Sequence, residues 1–468
     1  SRAVFQAGPR REVATRRRED LLHAPGLVIA ATQSNSGKTL VTLGLIRAFT
    51  RRGLRVAGFK VGPDYIDPAF HLAAGAARCP NLDSWAMRLP SLARLGETAS
   101  ADVDLVVGEG VMGLFDGAPD GTGSTADVAA LLGLPVVLVV DAKGMGQSVA
   151  ALAAGFSHHR AGVEVAGVIC NRTGGGRHAQ LLGDALDATL PGRRLGALPL
   201  DRDLELPARH LGLVQARERD VEPLIARAAE LVEAHLDLDR LASLARPSAL
   251  AAFGPAEPLL PPPGQTIAVA MDDAFAFAYP SVLDGWRTAG ATIAPFSPLE
   301  DAAPTPAADA VYLPGGYPEL HAGRLAAAGR FLAGLRDAAA RGAVIYGECG
   351  GYMVLGRALI DGAGAPHAMA ELLPSVTSFA APRLHLGYRR LRLARPGFLG
   401  AVGADYRGHE FHYARLVETG EAPPLFEVAD AAGRPLGPAG AQIGNVAGSF
   451  MHLVDRAAVP VRPLLVSQ

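Results

Sequence analysis

Three cysteines, Cys79, Cys170 and Cys349, are all that the 468 residues contain. They are too few and too scattered for a disulfide framework or a zinc site, and they suit a reducing cytoplasm. No apolar run is long enough to span a bilayer, so no membrane partner is expected. The 44 basic residues against 46 acidic ones leave a formal net charge of −2, which makes no case for nucleic acid. Arg10, Arg11, Arg16, Arg17 and Arg18 have no apolar stretch behind them, which speaks against a secretory signal; residues 1–25 read as a disordered basic tail. Solenoid repeats and coiled-coil heptads are also missing. What remains is a globular composition, 49% apolar and 19% charged, in a chain long enough for two or three domains.

From Gly26 to about His235, short β-branched runs alternate with helical patterns. The expected strands are Leu27–Ala31, Arg55–Lys60, Asp104–Gly108, Val136–Asp141 and Val165–Asn171; the expected helices include Thr39–Arg52, Val128–Leu132 and Ser148–His158. Such alternation implies a parallel sheet covered on both faces. A second alternating α/β region begins at Thr266–Ala270 and continues through Ala310–Leu313 and Ala343–Tyr346 to about Val459. Between them, residues 247–265 are rich in proline and lack hydrophobic periodicity, the pattern of a linker. The expected division is 1–25, 26–246, 247–265 and 266–460, with each α/β unit long enough to fold around its own core.

Two chemical signatures stand at strand ends. The first, Ser34-Asn35-Ser36-Gly37-Lys38-Thr39, lies between a buried strand and an amphipathic helix. There, backbone N–H groups converge on phosphate oxygens. Gly37 permits close approach, Lys38 reaches the terminal phosphates and the Thr39 hydroxyl binds Mg²⁺. Thr32 stands where the usual pattern has glycine. Magnesium needs hard oxygen ligands, and Asp64 and Glu109 both follow apolar strands on the edge where α/β folds bind ligands. Lys60 is placed to neutralise a carboxylate or a transferring phosphoryl group.

The second signature, Gly347-Glu348-Cys349-Gly350-Gly351, follows the strand Ala343–Tyr346. It reads as a nucleophile on a tight strand-to-helix turn, its thiolate favoured by the helix dipole and a neighbouring histidine. Cys79 and Cys170 read as buried structural residues. Gly315-Gly316, after another strand, can present N–H groups to an oxyanion. The base is sought among His385, His409, His412 and His452.

The loop Ser34–Thr39 resembles the variant found in dethiobiotin synthetase-like and Mrp/MinD-like ATPases. The blocks Phe59–Pro68, Gly108–Gly117, Asp127–Gln147 and Gly167–Arg172 resemble the cobyrinic/hydrogenobyrinic acid a,c-diamide synthase family. In this likeness Asn171 matches the base-contacting asparagine, with a strand-terminating turn residue as the alternative. Gly315-Gly316-Tyr317-Pro318-Glu319 and the Cys349 turn resemble class I glutamine amidotransferases, of flavodoxin-like fold, in the form of the cobalamin-pathway members. Gly444–His452 resembles their terminal motif, which makes His452 the base. The glutamate that follows two residues later in many amidotransferases is Val454 here, so the third member is absent or comes from elsewhere. Arg407–Tyr413 also matches a family block, with its histidines structural or substrate-facing.

The resemblance implies two α/β domains, an N-terminal P-loop ATPase and a C-terminal amidotransferase. It implies ATP- and glutamine-dependent amidation of the a and c acetate side chains of a corrinoid acid, through an acyl phosphate, with Mg²⁺ as cofactor. The G+C-rich composition leans towards the metal-free hydrogenobyrinic acid; cobalt-containing cobyrinic acid is the alternative. A MinD/ParA-like switch ATPase is the rival of another class, but it leaves Cys349, Gly315, Gly316 and His452 idle. The oligomeric state is open, a homodimer included.

Overall fold

The structure is a computed structural model. It describes residues 23–458 apart from 203, 205–207, 210, 211, 214–219 and 256. The end of the chain and almost all of the basic tail therefore lie outside the described residues.

The first half is built on seven strands: β1 (Gly26–Ala31), β2 (Val56–Val61), β3 (Asn81–Leu82), β4 (Leu105–Glu109), β5 (Val136–Asp141), β6 (Val165–Thr173) and β7 (Arg194–Pro199). They form one parallel sheet in the order β3-β2-β4-β1-β5-β6-β7. Both faces are covered, so β1, β2 and β4 are buried at every position. This is why they read as unbroken apolar runs rather than alternating ones. Helix α1 (Lys38–Arg51) follows β1, and α2 (Asp67–Ala73) follows β2. The register sets Lys60 beside Glu109, and Ile29 on the other side of Glu109. Three chain segments remote in sequence thus end on one sheet edge.

After the two-residue strands β8 (Ala208–Arg209) and β9 (Gly212–Leu213), the second half starts with β10 (Thr266–Ala270), β11 (Thr292–Phe296), β12 (Ala310–Leu313) and β13 (Val344–Glu348). They join Val446–Ser449 and Ala441–Ile443 in a six-stranded sheet, parallel except at the last strand. The expected α/β alternation does not reach Val459. Beyond the helix Gly350–Leu355 the described residues hold only strands and loops. Five of these strands form an antiparallel sheet in which His385–Leu393 pairs with Asp405–His412, and that in turn with Met451–Arg456. On one face, Tyr388 and His409 meet Asp83 and Tyr65 of the first half, while Leu386, Arg390 and Arg392 stay exposed.

The second half keeps a hydrophobic cluster of its own, and another runs through both halves. The shared cluster takes Val28, Leu82 and Trp85 from the first half together with Trp286, Leu391 and Leu453 from the second. The proline-rich segment carries no strand or helix, yet Leu259 and Leu260 are buried in that same cluster. The Trp286 indole N–H donates to the Leu260 carbonyl at 3.1 Å. The segment is part of the packing rather than a free tether. Among the described residues no helix is long and apolar enough to cross a membrane.

Candidate active sites

The phosphate loop is shaped by backbone conformation. Gly37 caps α1 at φ 82°, and a Cβ there would collide with the Asn171 side-chain amide. That amide donates to the Ser36 carbonyl at 2.8 Å, and Arg172 donates to the Asn35 carbonyl at 2.7 Å. Asn171 thus braces the loop from β6. The Ser36 hydroxyl donates to the Gln33 carbonyl, closing the turn.

Glu109 is the centre of the first site. It is fully buried, and its Oε1 accepts from Thr39 at 2.6 Å, Lys60 at 3.0 Å and Lys38 at 3.5 Å. Its Oε2 meets His71 Nε2 at 2.8 Å. Burial works against the charge, but Lys60, Lys38 and His71 overcome it and hold the Glu109 carboxyl well below the usual range. Burial likewise opposes a charged His71, but Cys79 and Glu109 raise it to about 10. Lys60 also pairs with Asp67 and donates to the Gly110 carbonyl at 3.2 Å. Sequence reading passed over His71 and read Cys79 as merely structural, yet Cys79 Sγ lies 3.3 Å from His71 Nδ1.

For a magnesium ion the donors differ. Asp64 Oδ1 accepts from the Ile66 and Asp67 amides, its Oδ2 lies 4.0 Å from Lys60 Nζ, and a third of the side chain is exposed. Both oxygens of Glu109 are already engaged. Asp64, the Thr39 hydroxyl and Glu109 stand together at this edge with the oxygen chemistry a hard cation takes, and Glu109 also positions Thr39 and the two lysines.

The second site forms where β12 and β13 end. Cys349 sits at φ 48°, in the left-handed region, at the start of the helix Gly350–Leu355. Its amide donates to the Ser449 carbonyl at 2.8 Å. A Cβ on Gly315 would collide with His452 and lie 3.2 Å from Cys349 Cβ. Glycine at 315 therefore lets the oxyanion segment, the base and the nucleophile touch. Gly316 packs just as closely on the Ala274 carbonyl. Of the four candidate histidines, His452 is the one at this junction. His412 is bound to Glu410 and the Ala414 carbonyl, and His385 stacks on His412. The hydroxyls of Tyr65 and Tyr279 lie 2.6 and 2.9 Å from His409 Nε2.

The surroundings of Cys349 disfavour a resting thiolate. Burial, reinforced by Glu319, Glu348 and Glu410, raises the Cys349 thiol above its ordinary value. A helix of six residues offers little dipole to oppose that. Burial and the neighbouring His409 and His412 push His452 well down, so it rests neutral. Among the described residues neither of its ring nitrogens has a hydrogen-bond partner.

Val454 is buried at the position of the usual glutamate, but an acid is present. Glu348, the residue before the nucleophile, lies with Oε2 3.9 Å from His452 Nδ1. Tyr312 and Tyr346 donate their hydroxyls to it at 2.8 and 3.1 Å, and the Leu453 amide at 3.2 Å. Burial raises it to about 7. An acid ending an otherwise apolar strand was the sequence signal that could have found it. The two sites are joined by Tyr65, which follows Asp64. Its ring stands 4.9 Å from that of His452 and stacks on Phe277 at 5.2 Å.

Comparison with known proteins agrees with this division. Residues 27–214 match the CobQ/CobB/MinD/ParA nucleotide binding domain, and residues 266–458 the CobB/CobQ-like glutamine amidotransferase domain. The chain is 54% identical over 435 residues to the hydrogenobyrinate a,c-diamide synthase of Brucella anthropi, covering 92% of this chain and 98% of that one. The Rhodobacter capsulatus protein of that name is 54% identical over 436 residues, with 92% and 98% covered. The Rhizobium meliloti protein is 53% identical over 432 residues, with 92% and 99% covered. With a likeness of that extent through both halves and both sites, the chain belongs to the hydrogenobyrinate a,c-diamide synthase family and is a nucleotide-binding, glutamine-dependent amide ligase.

Proposed function

We propose that this protein uses ATP and glutamine to amidate the a and c acetate carboxylates of hydrogenobyrinic acid in cobalamin biosynthesis. The observation that carries the reading is the likeness to synthases of that name over both halves of the chain at once.

In the first half, a substrate carboxylate oxygen attacks the γ-phosphorus of ATP. The bond to ADP breaks, and an acyl phosphate forms. Lys38 and Lys60 offset the charge of the transferring group, and Glu109 holds both lysines and Thr39 in place. Asp64, Thr39 and Glu109 would hold Mg²⁺, which when bound neutralises phosphate charge. In the second half, His452 takes the Cys349 proton and the thiolate attacks the glutamine carboxamide carbon. The N–H groups of Gly315 and Gly316 hold the oxyanion. His452 passes the proton to the departing nitrogen, and water hydrolyses the thioester to glutamate. Ammonia then displaces phosphate from the acyl carbon, giving the amide. It must travel shielded from water, where it would be largely protonated. Glu348 acts as the positioning acid for His452, in place of the residue that Val454 replaces.

The test is incubation of the full chain with ATP, glutamine and either hydrogenobyrinic or cobyrinic acid, read by mass spectrometry. Two successive acid-to-amide changes on hydrogenobyrinic acid are expected, both needing ATP. Faster conversion of cobyrinic acid would reassign the substrate to the cobalt form. No product from either corrinoid would overturn the reading.

A further inference from the structure

The antiparallel sheet of the second half turns one face towards the first half. Residues alternate between faces, and the register sets Tyr388 opposite His409, and Arg390 opposite Arg407. His409 in turn faces His452 on the next strand. One face therefore carries His452, His409 and Tyr388, then a pair of arginines.

That arginine pair is unusual. Like charges directly opposite across a sheet repel and destabilise it. No carboxylate among the described residues lies within ion-pair distance of either guanidinium. Arg407 is half-buried and stands over the Trp85 ring, 4.4 Å from its centroid. Burial and the facing Arg390 lower its pKa. Arg390 makes one hydrogen bond, to the Ala431 carbonyl at 3.0 Å. Three acids act on the pair from beyond ion-pair distance: Asp120, Asp405 and Asp83 act to raise the Arg407 pKa, and Arg390 adds to the hydrogen bonds of Thr122 in lowering that of Asp120. Asp405 pairs with Arg392 at 2.9 Å; Asp83 accepts from Tyr388 and from the Trp85 and Ala86 amides; Asp120 is held by Thr122. Neighbouring Arg389 has a partner, Glu410 at 2.8 Å.

The surroundings are a built surface. Trp85 and Tyr388 stack at 4.4 Å across the boundary between the two halves. Gly123, at φ 81°, lets the loop after β4 pass against Trp85. Trp85 follows the end of β3, and β3 pairs Asn81 with Lys60. The arginine pair thus lies above the strand ends that hold Lys60, Asp64 and Glu109, the edge where α/β sheets take their ligands.

We propose that Arg390 and Arg407, with the Trp85–Tyr388 stack beside them, grip a peripheral carboxylate of a macrocyclic polycarboxylate substrate while another of its carboxylates is presented at the phosphate loop. The proposal rests on the function proposed above and deepens it. The paired cationic groups match an anionic arm, and Trp85, buried and stacked on Tyr388, holds Arg407 in place from across the boundary. Because Trp85 comes from one half and both arginines from the other, the binding site is complete only when the halves are together.

The test measures equilibrium binding of hydrogenobyrinic acid to the full chain and to its Arg407→Gln, Arg390→Gln and Arg407→Lys variants, with thermal midpoints alongside. Loss of a charge-assisted contact predicts binding weaker by roughly ten- to hundredfold in the glutamine variants, with partial recovery in Arg407→Lys. Relief of like-charge repulsion predicts thermal midpoints that hold or rise. If the wild-type chain binds and the glutamine variants bind equally well, the grip is wrong and the proposed function stands. If the glutamine and lysine variants weaken alike and all lose thermal stability, Arg407 is structural cement and the grip is again wrong. A wild-type chain that binds no corrinoid sinks the proposed function and the grip with it.

Discussion

Glu109 and Glu348 are the same residue type, each buried at the end of a parallel strand and next to a reacting group, yet their environments drive them in opposite directions. Glu109 is surrounded by Lys38, Lys60 and His71, and stays ionised. Glu348 is bound by two tyrosine hydroxyls and one amide, and burial lifts it to about 7. Burial penalises both charges, and the surroundings decide whether that penalty is overcome. A site that handles phosphate needs fixed charge. A site that moves one proton is served by an acid that can titrate.

Removing the chemistry of one half at a time should break the comparison most severely. Cys349→Ser should abolish amidation with glutamine while sparing it with high ammonia; retained glutaminase activity would refute the nucleophile. Next in size, Lys38→Ala and Glu109→Gln should lower amidation by on the order of 10² to 10³ with either nitrogen source. Near-normal ammonia-dependent turnover in Lys38→Ala would remove the phosphate loop from the mechanism.

Glu348→Gln sharpens the contrast. It should cut glutaminase turnover by on the order of 10² and leave ammonia-dependent amidation intact. In the wild type, glutaminase activity should rise with pH around 7, as Glu348 ionises, because His452 is already neutral. That step should vanish in the variant; its persistence would assign it to another group. Stability should show opposite slopes at the two acids. A raised pKa means that Glu348 contributes fully below the ordinary glutamate value and that its contribution is lost as pH rises through about 7. A lowered pKa means that Glu109 contributes above the ordinary value and that its contribution is lost on acidification. Urea titrations of Glu348→Gln and Glu109→Gln across pH read both slopes.

The smallest effect belongs to the residue between the sites. Tyr65→Phe removes one hydroxyl from His409 and keeps the rings packed, so a loss of about 1 kcal/mol or less is expected by denaturant titration. A larger drop in glutamine-dependent than in ammonia-dependent turnover would show that this hydroxyl couples the sites.

Local features of both sites were legible in sequence. Gly37, Lys38 and Thr39 sit together in one turn, and Cys349 stands between a strand and two glycines, so neighbours along the chain reveal them. The partners came only with the fold. His71 reaches Glu109 across 38 residues because β2 and β4 are adjacent. Glu348 reaches His452 because β13 pairs with Val446–Ser449, which places Glu348 opposite Ser449. The antiparallel sheet was read as α/β although Arg390, Leu391, Arg392 and Leu393 alternate between exposed and buried. The burial of Cys349, which disfavours its thiolate, is not written in the residues next to it.

The hydrophobic cluster that runs through both halves has a consequence for how the molecule opens. Protection against hydrogen exchange follows cooperative units rather than sequence boundaries. Strands β1 and β5, Leu259 and Leu260 of the proline-rich segment, and Met451–Arg456 contribute side chains to one contiguous core, so their amides should exchange through a shared opening. A chain severed near residue 255 would cut across that shared unit.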